Sequence, residues 1–328
     1  MNLPELLQLS GGYWATCALH AAVKLDLFTA LADVAMSVPE QACLLAVDER
    51  GLGMLVRALV ALDLLEAAEG GYRCTSFSAT YLSRNSATYM GYIILHHHHL
   101  VEGWSHLDEA VKTGAPVRRR SSHDVSDNER ESFLMGMYNL ASLLAPRVAQ
   151  AIDLTGRSRL LDLAGGPGTY AIQFCLKNPE LRADIYDLPT TRPFAEKVIG
   201  RFRLQERVSF VSGDLLNNPL GSGYDVVWIS HLLHSESPAD SARIVEKAAA
   251  ALNPDGLLLI QEFVLDDQKT APLFPALFSL NMLVGTVAGQ AYSWQELTGM
   301  MAGAGLTGIR RLPLELPNGA GILAGIRE

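Results

Sequence analysis

Cysteine is scarce in this chain, and the little there is follows no pairing pattern. Cys17, Cys43, Cys74 and Cys175 are scattered without a C-x-x-C spacing, which excludes a disulfide framework and a zinc ribbon and suits a reducing cytoplasm. Positive charge is also short. The 26 Lys and Arg face 35 Asp and Glu, a formal net charge of -9, and such a balance repels nucleic acid and anionic membrane away from a local basic patch. The basic run Arg118-Arg119-Arg120, next to Ser121 and Ser122, reads as an exposed loop. Long apolar runs are missing too. None reaches the roughly 18 residues needed to span a bilayer, and Gly91 to Leu95 is interrupted at once by histidines. The N-terminal "MNLPELLQLS" lacks the basic segment and apolar core of a signal peptide. Neither nucleic acid nor membrane is therefore expected as a partner. What remains is a chain of 328 residues, 49% hydrophobic and 19% charged, which can bury one large core or two ordinary ones.

The first half reads as helical. "GYWATCALHAAVKLDLFTALA" sets Trp14, Leu19, Ala22, Val23 and Leu27 at helical spacing. "RGLGMLVRALVALDLLEAAEGGYRCT" continues as a helix with Leu52, Leu55, Leu59 and Leu62 on one face, stops at Gly70-Gly71, and ends in a short strand-like piece. Helices followed by a small hairpin make a winged-helix pattern. A DNA reader would need lysines and arginines there, but Arg50 and Arg57 stand among Asp48, Glu49 and Asp63, so a protein–protein module is expected. Helices are predicted over Tyr89–Gly114 and Asp127–Thr155. The boundary falls near Asp153–Arg159, giving domains of 1–155 and 156–328.

Beyond that point strands alternate with helices. Strands are predicted at Arg159–Leu163, Ala183–Tyr186, Val208–Ser212, Tyr224–Ile229 and Leu257–Phe263, with helices over Gly168–Lys177, Arg192–Phe202 and Pro238–Leu252. The pattern is that of an α/β domain whose mostly parallel sheet is covered on both faces. Its ligands lie beyond the carboxyl ends of the strands, at the switch point after the first strand. There stands "RLLDLAGGPGTYAI".

Gly166, Gly168 and Ala171 fit G-x-G-x-x-[G/A], and Asp187 follows where a dinucleotide fold carries its ribose acid, so a nicotinamide oxidoreductase is one reading. Asp162, just before the glycines, argues against it, because a carboxylate beside a pyrophosphate meets strong like-charge repulsion. The loop also has no lysine to serve as a phosphate loop. A phosphate-free nucleoside carrying a cationic amino acid suits Asp162, Gly165, Gly166 and Gly168 better, and S-adenosylmethionine is such a ligand. Asp162 can act on its ammonium group through water or backbone. Asp187 can accept the ribose hydroxyls. Asp214 can accept from the adenine amino group, with Leu215 against the ring.

The stretches "LLDLAGGPGTYAI", "YDLPTT", "VSGDLL", "DVVWISHLLH" and "GLLLIQEFVLDD" occur in an order that resembles the small-molecule O-methyltransferases of the caffeate, hydroxyindole and bacterial antibiotic type. "GYWATCALHAAVKLDLFTALA" and "LVRALVALDLLEAAEGGYRCTSFSATYL" resemble their N-terminal domain, so the likeness runs nearly the full length. It implies a Rossmann-like class I methyltransferase domain with a seven-stranded, mostly parallel sheet. Ahead of it would stand a winged-helix dimerisation domain through which two copies form a homodimer. S-adenosylmethionine would be the donor, S-adenosylhomocysteine the product, and a small aromatic or polyketide-like hydroxyl compound the acceptor.

The resemblance places the general base at His234 and one flanking carboxylate at Glu262, with Ser230 near the adenine. Two departures stand out. His234-Ser235-Glu236 replaces the family's His-Asp-Trp, and the second flanking acid has become Ala291 within Gly289-Gln290-Ala291-Tyr292-Ser293. Either the acceptor is acidic enough to need little help, or carbon or nitrogen is methylated and His234 only positions the acceptor. A winged-helix regulator with a ligand-sensing catalytic domain is a third reading. The acceptor pocket is expected between the domains, with Phe133, Met137, Asn281 and Met282, and Trp104 and Tyr138 as further candidates. His231 has no role in this scheme. Of His96–His99 only His96 and His99 share a helix face, no acid or cysteine completes a ligand set, and no metal is expected.

Overall fold

The computed structural model describes residues 1–118 and 126–328, so Arg119 to Ser122 of the basic run lie outside the described residues. The chain divides into two compact units. Met1–Val101 with Asp127–Asn139 forms the first, and Glu102–Ser126 with Leu140–Glu328 the second.

The first unit opens with α1 (Leu3–Gly11), α2 (Tyr13–Lys24), α3 (Leu27–Ala30), α4 (Val38–Leu45) and α5 (Glu49–Ala61). Where the sequence suggests one helix over residues 12–32, Asp26 takes a left-handed backbone, φ 57°, and breaks it between α2 and α3. Helix α5 also stops earlier than its composition suggests. Leu62 caps it, Asp63 turns left-handed, and Leu65–Ala68 becomes strand β1. Pairing with β2 (Gly71–Cys74), Leu65 opposite Cys74, buries Leu65 and outweighs the helix propensity of "LEAA". Ala22, Val23, Leu27, Phe28, Leu52 and Leu59 form the core of this unit. Leu62 and Trp14 do not join it. Leu3, Leu6, Leu7, Leu9, Tyr13 and Trp14 are all exposed, and α1 buries no side chain. Then follow α6 (Ser76–Leu82), α7 (Gly91–Ser105), α8 (Leu107–Thr113) and α9 (Asp127–Ala151). Helices α7 and α9 cross from one unit into the other, and α7 ends nine residues short of the predicted Gly114 because His106 interrupts it.

The second unit is built on one sheet. Its strands are β3 (Arg159–Leu163), β4 (Arg182–Asp187), β5 (Val208–Ser212), β6 (Tyr224–Ser230), β7 (Leu252–Leu265), β8 (Tyr292–Ser293), β9 (Leu306–Arg311) and β10 (Ala320–Arg327). The order is β5-β4-β3-β6-β7-β10-β9, with the two-residue β8 pairing with β7. Strands β3 to β7 run parallel, and β10 is antiparallel to both neighbours. Helices α10 (Thr169–Lys177), α11 (Arg192–Phe202), α12 (Pro238–Ala251), α13 (Leu273–Gly285) and α14 (Trp294–Gly303) complete it. The order reverses at β3, which puts the glycine loop at a switch point. Among the described residues no helix is long and apolar enough to cross a membrane.

Candidate active site

Strand β3 ends in a turn that the sequence builds tightly. A Cβ on Gly165 would stand 2.5 Å from the Asp162 carboxyl carbon, and one on Gly168, which caps α10 at φ 78°, would stand 2.1 Å from Ile185 Cδ1. The loop is closed from beneath by acids. Asp162 is 1% exposed, and its Oδ2 accepts the Ala171 N–H of α10 at 3.2 Å. Burial pushes its carboxyl up to about 7, with one backbone N–H opposing and the neighbouring Asp187 adding to the rise. Asp187, at the end of β4, holds the loop from the side. Its Oδ2 accepts Gly166 N–H at 2.8 Å, and its Oδ1 accepts Leu188 N–H at 2.6 Å and the Thr191 hydroxyl at 3.1 Å. A carboxylate offers about four acceptor positions, so one is left for a ligand. Burial raises this carboxyl as well.

Asp214 lies two residues beyond β5. Its oxygens accept from Leu216 N and the Asn217 amide, which shapes the turn, and Leu215 packs partly on the core. Ser230 closes β6. The crevice is therefore lined by acids, Asp162 buried and Asp187 and Asp214 half-buried. A Cβ on Gly166, at φ 57°, would meet nothing within 4 Å, so the loop borders open space. Such a crevice fits a cationic nucleoside without phosphates.

Beside it, at the ends of β6 and β7, stands a second constellation. His234 lies in a short 3-10 turn (Leu233–Ser235), and its Nδ1 is 2.8 Å from Glu262 Oε2. Glu262 Oε1 accepts the His234 backbone N–H at 3.4 Å, and Phe263 N–H donates to Oε2 at 3.3 Å. Burial pushes the Glu262 carboxyl up. The His234 imidazole, by charge and hydrogen bond, outweighs that with help from His231 and leaves it below the ordinary carboxylate range. An ionised carboxylate only accepts, so His234 Nδ1 carries the hydrogen and Nε2 keeps a lone pair.

The turn is pinned from the far side, where a Cβ on Gly289 would stand 2.5 Å from the His234 carbonyl oxygen. Ala291 is 1% exposed and bonds Ser279 Oγ through its N–H, so its position supplies no second acid. Ser235 Oγ bonds the Leu232 carbonyl and Glu236 Oε1.

Residues 104–307 match the O-methyltransferase domain family and residues 7–84 the O-methyltransferase dimerisation domain. The 3-hydroxy-5-methyl-1-naphthoate 3-O-methyltransferase of Streptomyces sahachiroi is 34% identical over 99% of this chain and 95% of its own. The chain belongs to the O-methyltransferase family. It is an enzyme, a methyltransferase dependent on S-adenosylmethionine, and the dinucleotide reading of its glycine loop is thereby set aside. The N,N-dimethyltransferase OxyT of Streptomyces rimosus is 30% identical over 81% of this chain and 80% of its own. An O-methyltransferase family protein of Burkholderia thailandensis has 30% identity and a TM-score of 0.89, covering 100% of this chain and 98% of its own.

The methyltransferase brings most of its expected site residues together in the second unit. Asn281 accepts a hydrogen bond from Trp104 Nε1 at 3.1 Å, and Met282, on the same helix, is buried. Phe133, Met137 and Tyr138 lie on the part of α9 that belongs to the first unit, where Phe133 stands 5.3 Å from the His96 ring. Sequence reasoning missed an aromatic wall beside His234. Phe278 meets His234 edge-on at 4.7 Å, Phe263 lies tilted against His231 at 4.2 Å, and Phe274 is 4.8 Å from Phe263. The signal was there, because Phe274, Phe278 and Asn281 are spaced four and three apart on α13.

Asp162 carries a pH prediction. Its folded value stands above the unfolded one, so it favours folding most below about pH 4 and progressively less as pH rises to about 7. Asp162→Asn should therefore gain stability relative to the parent as pH climbs from about 4.5 to about 7, by up to about 1.4 kcal/mol for each pH step of one. Thermal unfolding of both proteins across that range checks it, and parallel curves would refute it.

Proposed function

We propose that this methyltransferase acts on the hydroxyl of a small aromatic or polyketide-like acceptor, with His234 as general base. The observation that carries this is the 2.8 Å contact of His234 Nδ1 with a buried, ionised Glu262. It fixes the tautomer that leaves Nε2 free to take a hydroxyl proton. Bound S-adenosylmethionine supplies a methyl group already activated by its sulfonium charge. Asp162, Gly165, Gly166, Gly168, Asp187, Asp214, Leu215 and Ser230 would hold it. Asp187 positions the loop through Gly166 and keeps one acceptor for a ribose hydroxyl. When His234 takes the proton, Glu262 stabilises the imidazolium. Phe263, Phe274 and Phe278 offer flat apolar faces that suit an aromatic acceptor. Asn281 and Met282, on the helix that carries Phe274 and Phe278, would add to that pocket.

Two copies would pair through residues 1–155. The exposed apolar stretch Leu3 to Trp14 lies largely within the matched dimerisation domain, and a face of this kind is ordinarily covered by a partner. Residues 156–328 would form the donor-binding domain.

The buried Ala291 favours a second reading, methylation of nitrogen or carbon, in which His234 only positions the acceptor. Two measurements test the proposal. S-adenosylhomocysteine should raise the melting temperature and NAD should not. Labelled donor with hydroxynaphthoates should yield a methyl ether. Label found only on nitrogen or carbon across hydroxy-, amino- and activated-ring acceptors would reject O-methylation.

A further inference from the structure

Glu262 stands between two imidazoles, and methyl transfer as described uses one of them. His231 is the other. Its Nδ1 lies 3.8 Å from the same Oε2 that His234 Nδ1 meets at 2.8 Å. One ligand atom from each of His231, His234 and Glu262 lies within 4.8 Å of the others, and among the described residues no other trio of His, Cys, Asp or Glu does so. Four-coordinate zinc holds N and O ligands at about 2.1 Å, which sets them roughly 3.4 Å apart, between the two separations seen here.

His231 is held in place at some cost. Its backbone is left-handed, φ 52°, a conformation unfavourable for most side chains and frequent at functional positions. Its ring lies against Phe263. Nδ1 is buried without a hydrogen-bond partner. Behind it Gln261 Nε2 sits 2.9 Å from His231 Nε2 and 2.8 Å from the Tyr170 hydroxyl, while Gln261 Oε1 has no partner. Turning that amide over lets Oε1 accept from His231 Nε2–H. The lone pair then stands on Nδ1, and the histidine gains the outer partner that metal-ligating histidines use.

We propose that His231, His234 and Glu262 form a site for a borderline divalent cation, with Zn2+ as the best match, and that its occupation stops methyl transfer. Two histidines and one carboxylate with open positions are a donor set that such ions favour. The block, which rests on His234 being the base, follows from the tautomer. A metal on His234 Nδ1 displaces the proton there to Nε2, so the nitrogen that would take the acceptor's proton has no lone pair. No proton is lost overall, and Glu262, already ionised, keeps its charge.

The test uses the full-length protein, stripped with EDTA and dialysed. One equivalent of CoCl2 should give the visible absorption of a low-coordinate site, and ZnCl2 should abolish it. Methyl transfer should fall at the same Zn2+ concentration and return with EDTA. His231→Asn, which retains a side chain that tolerates the left-handed backbone, should weaken Zn2+ binding roughly tenfold or more and still turn over in EDTA. Cys17→Ser with Cys43→Ser, which removes the two exposed thiols, should leave the Zn2+ midpoint in place. The inference is overturned if the parent binds neither ion, if His231→Asn binds Zn2+ as the parent does, or if turnover persists with one zinc bound. The cobalt spectrum reports the site without turnover, and His234→Ala assayed in EDTA reports the base without metal, so the two readings fail separately.

Discussion

His234→Ala should lower the turnover number by roughly 10²–10⁴-fold while S-adenosylhomocysteine binds nearly as tightly as to the parent. The split follows from geometry. His234 bonds Glu262 and faces Phe278, whereas the acids that suit the donor sit at the ends of β3 and β4 and in the loop after β5. Glu262→Gln removes the charge but leaves an oxygen that accepts from Nδ1, so the tautomer is kept and the imidazolium loses its support. Its loss should be smaller, of order tenfold. The two variants should also respond to the acceptor. Since Ala291 leaves His234 with one carboxylate, an electron-withdrawing group beside the hydroxyl should recover more of the His234→Ala loss than an electron-donating one. Initial rates on a substituted series, with donor affinity measured by calorimetry, check all three statements. Near-parental turnover in His234→Ala would remove the base and favour methylation at nitrogen or carbon.

The acids beside the glycine loop were legible because their chemistry repeats. Asp162 and Asp187 lie within the last two residues of adjacent apolar strands, and parallel strands with covered faces announce themselves as short hydrophobic runs. Strands β3 to β7 were found for that reason. The last part of the sheet was not found. β10 reads "AGILAGIR", glycine-rich and without alternation, and only pairing with β7 and β9 makes it a buried strand. β9 is largely exposed and gives no apolar run. The His234–Glu262 pair came from resemblance, because 28 residues separate its members and no local pattern joins them. His231 received no role for a related reason. Its left-handed backbone and its approach to Glu262 depend on how β6 and β7 lie side by side, Ser230 opposite Gln261. The aromatics of α13 drew no reading, since spacing alone does not tell a helix face that meets a ligand from one that meets a sheet.

Asp187→Ala should weaken S-adenosylmethionine and S-adenosylhomocysteine binding by about 100-fold or more. The substitution removes the one acceptor position open to a ligand and also unpins the loop, because Gly166 N–H, Leu188 N–H and the Thr191 hydroxyl all lose their partner. A hydrogen bond to a charged group contributes about 1.5–3 kcal/mol, and each donor left unsatisfied in a buried setting costs about 1–3, so a loss near 2.7 kcal/mol is the modest end of what these contacts allow. Asp187→Asn separates the two effects. Its amide oxygen can serve either the Gly166 side or the Leu188 side but not both, so the loop should be partly held while the negative charge is gone. Affinity should then fall between the parent and the alanine variant, and the melting temperature should lie closer to the parent. A crevice of acids suited to a cationic nucleoside also makes a directional demand on both variants. Neither substitution should create NAD binding, although removing a carboxylate from the crevice relieves the repulsion that a pyrophosphate would meet. Calorimetric titration of the three proteins with both nucleosides and with NAD decides the matter. Unchanged donor affinity in Asp187→Ala would show that the carboxylate serves the turn alone and that the donor is held elsewhere.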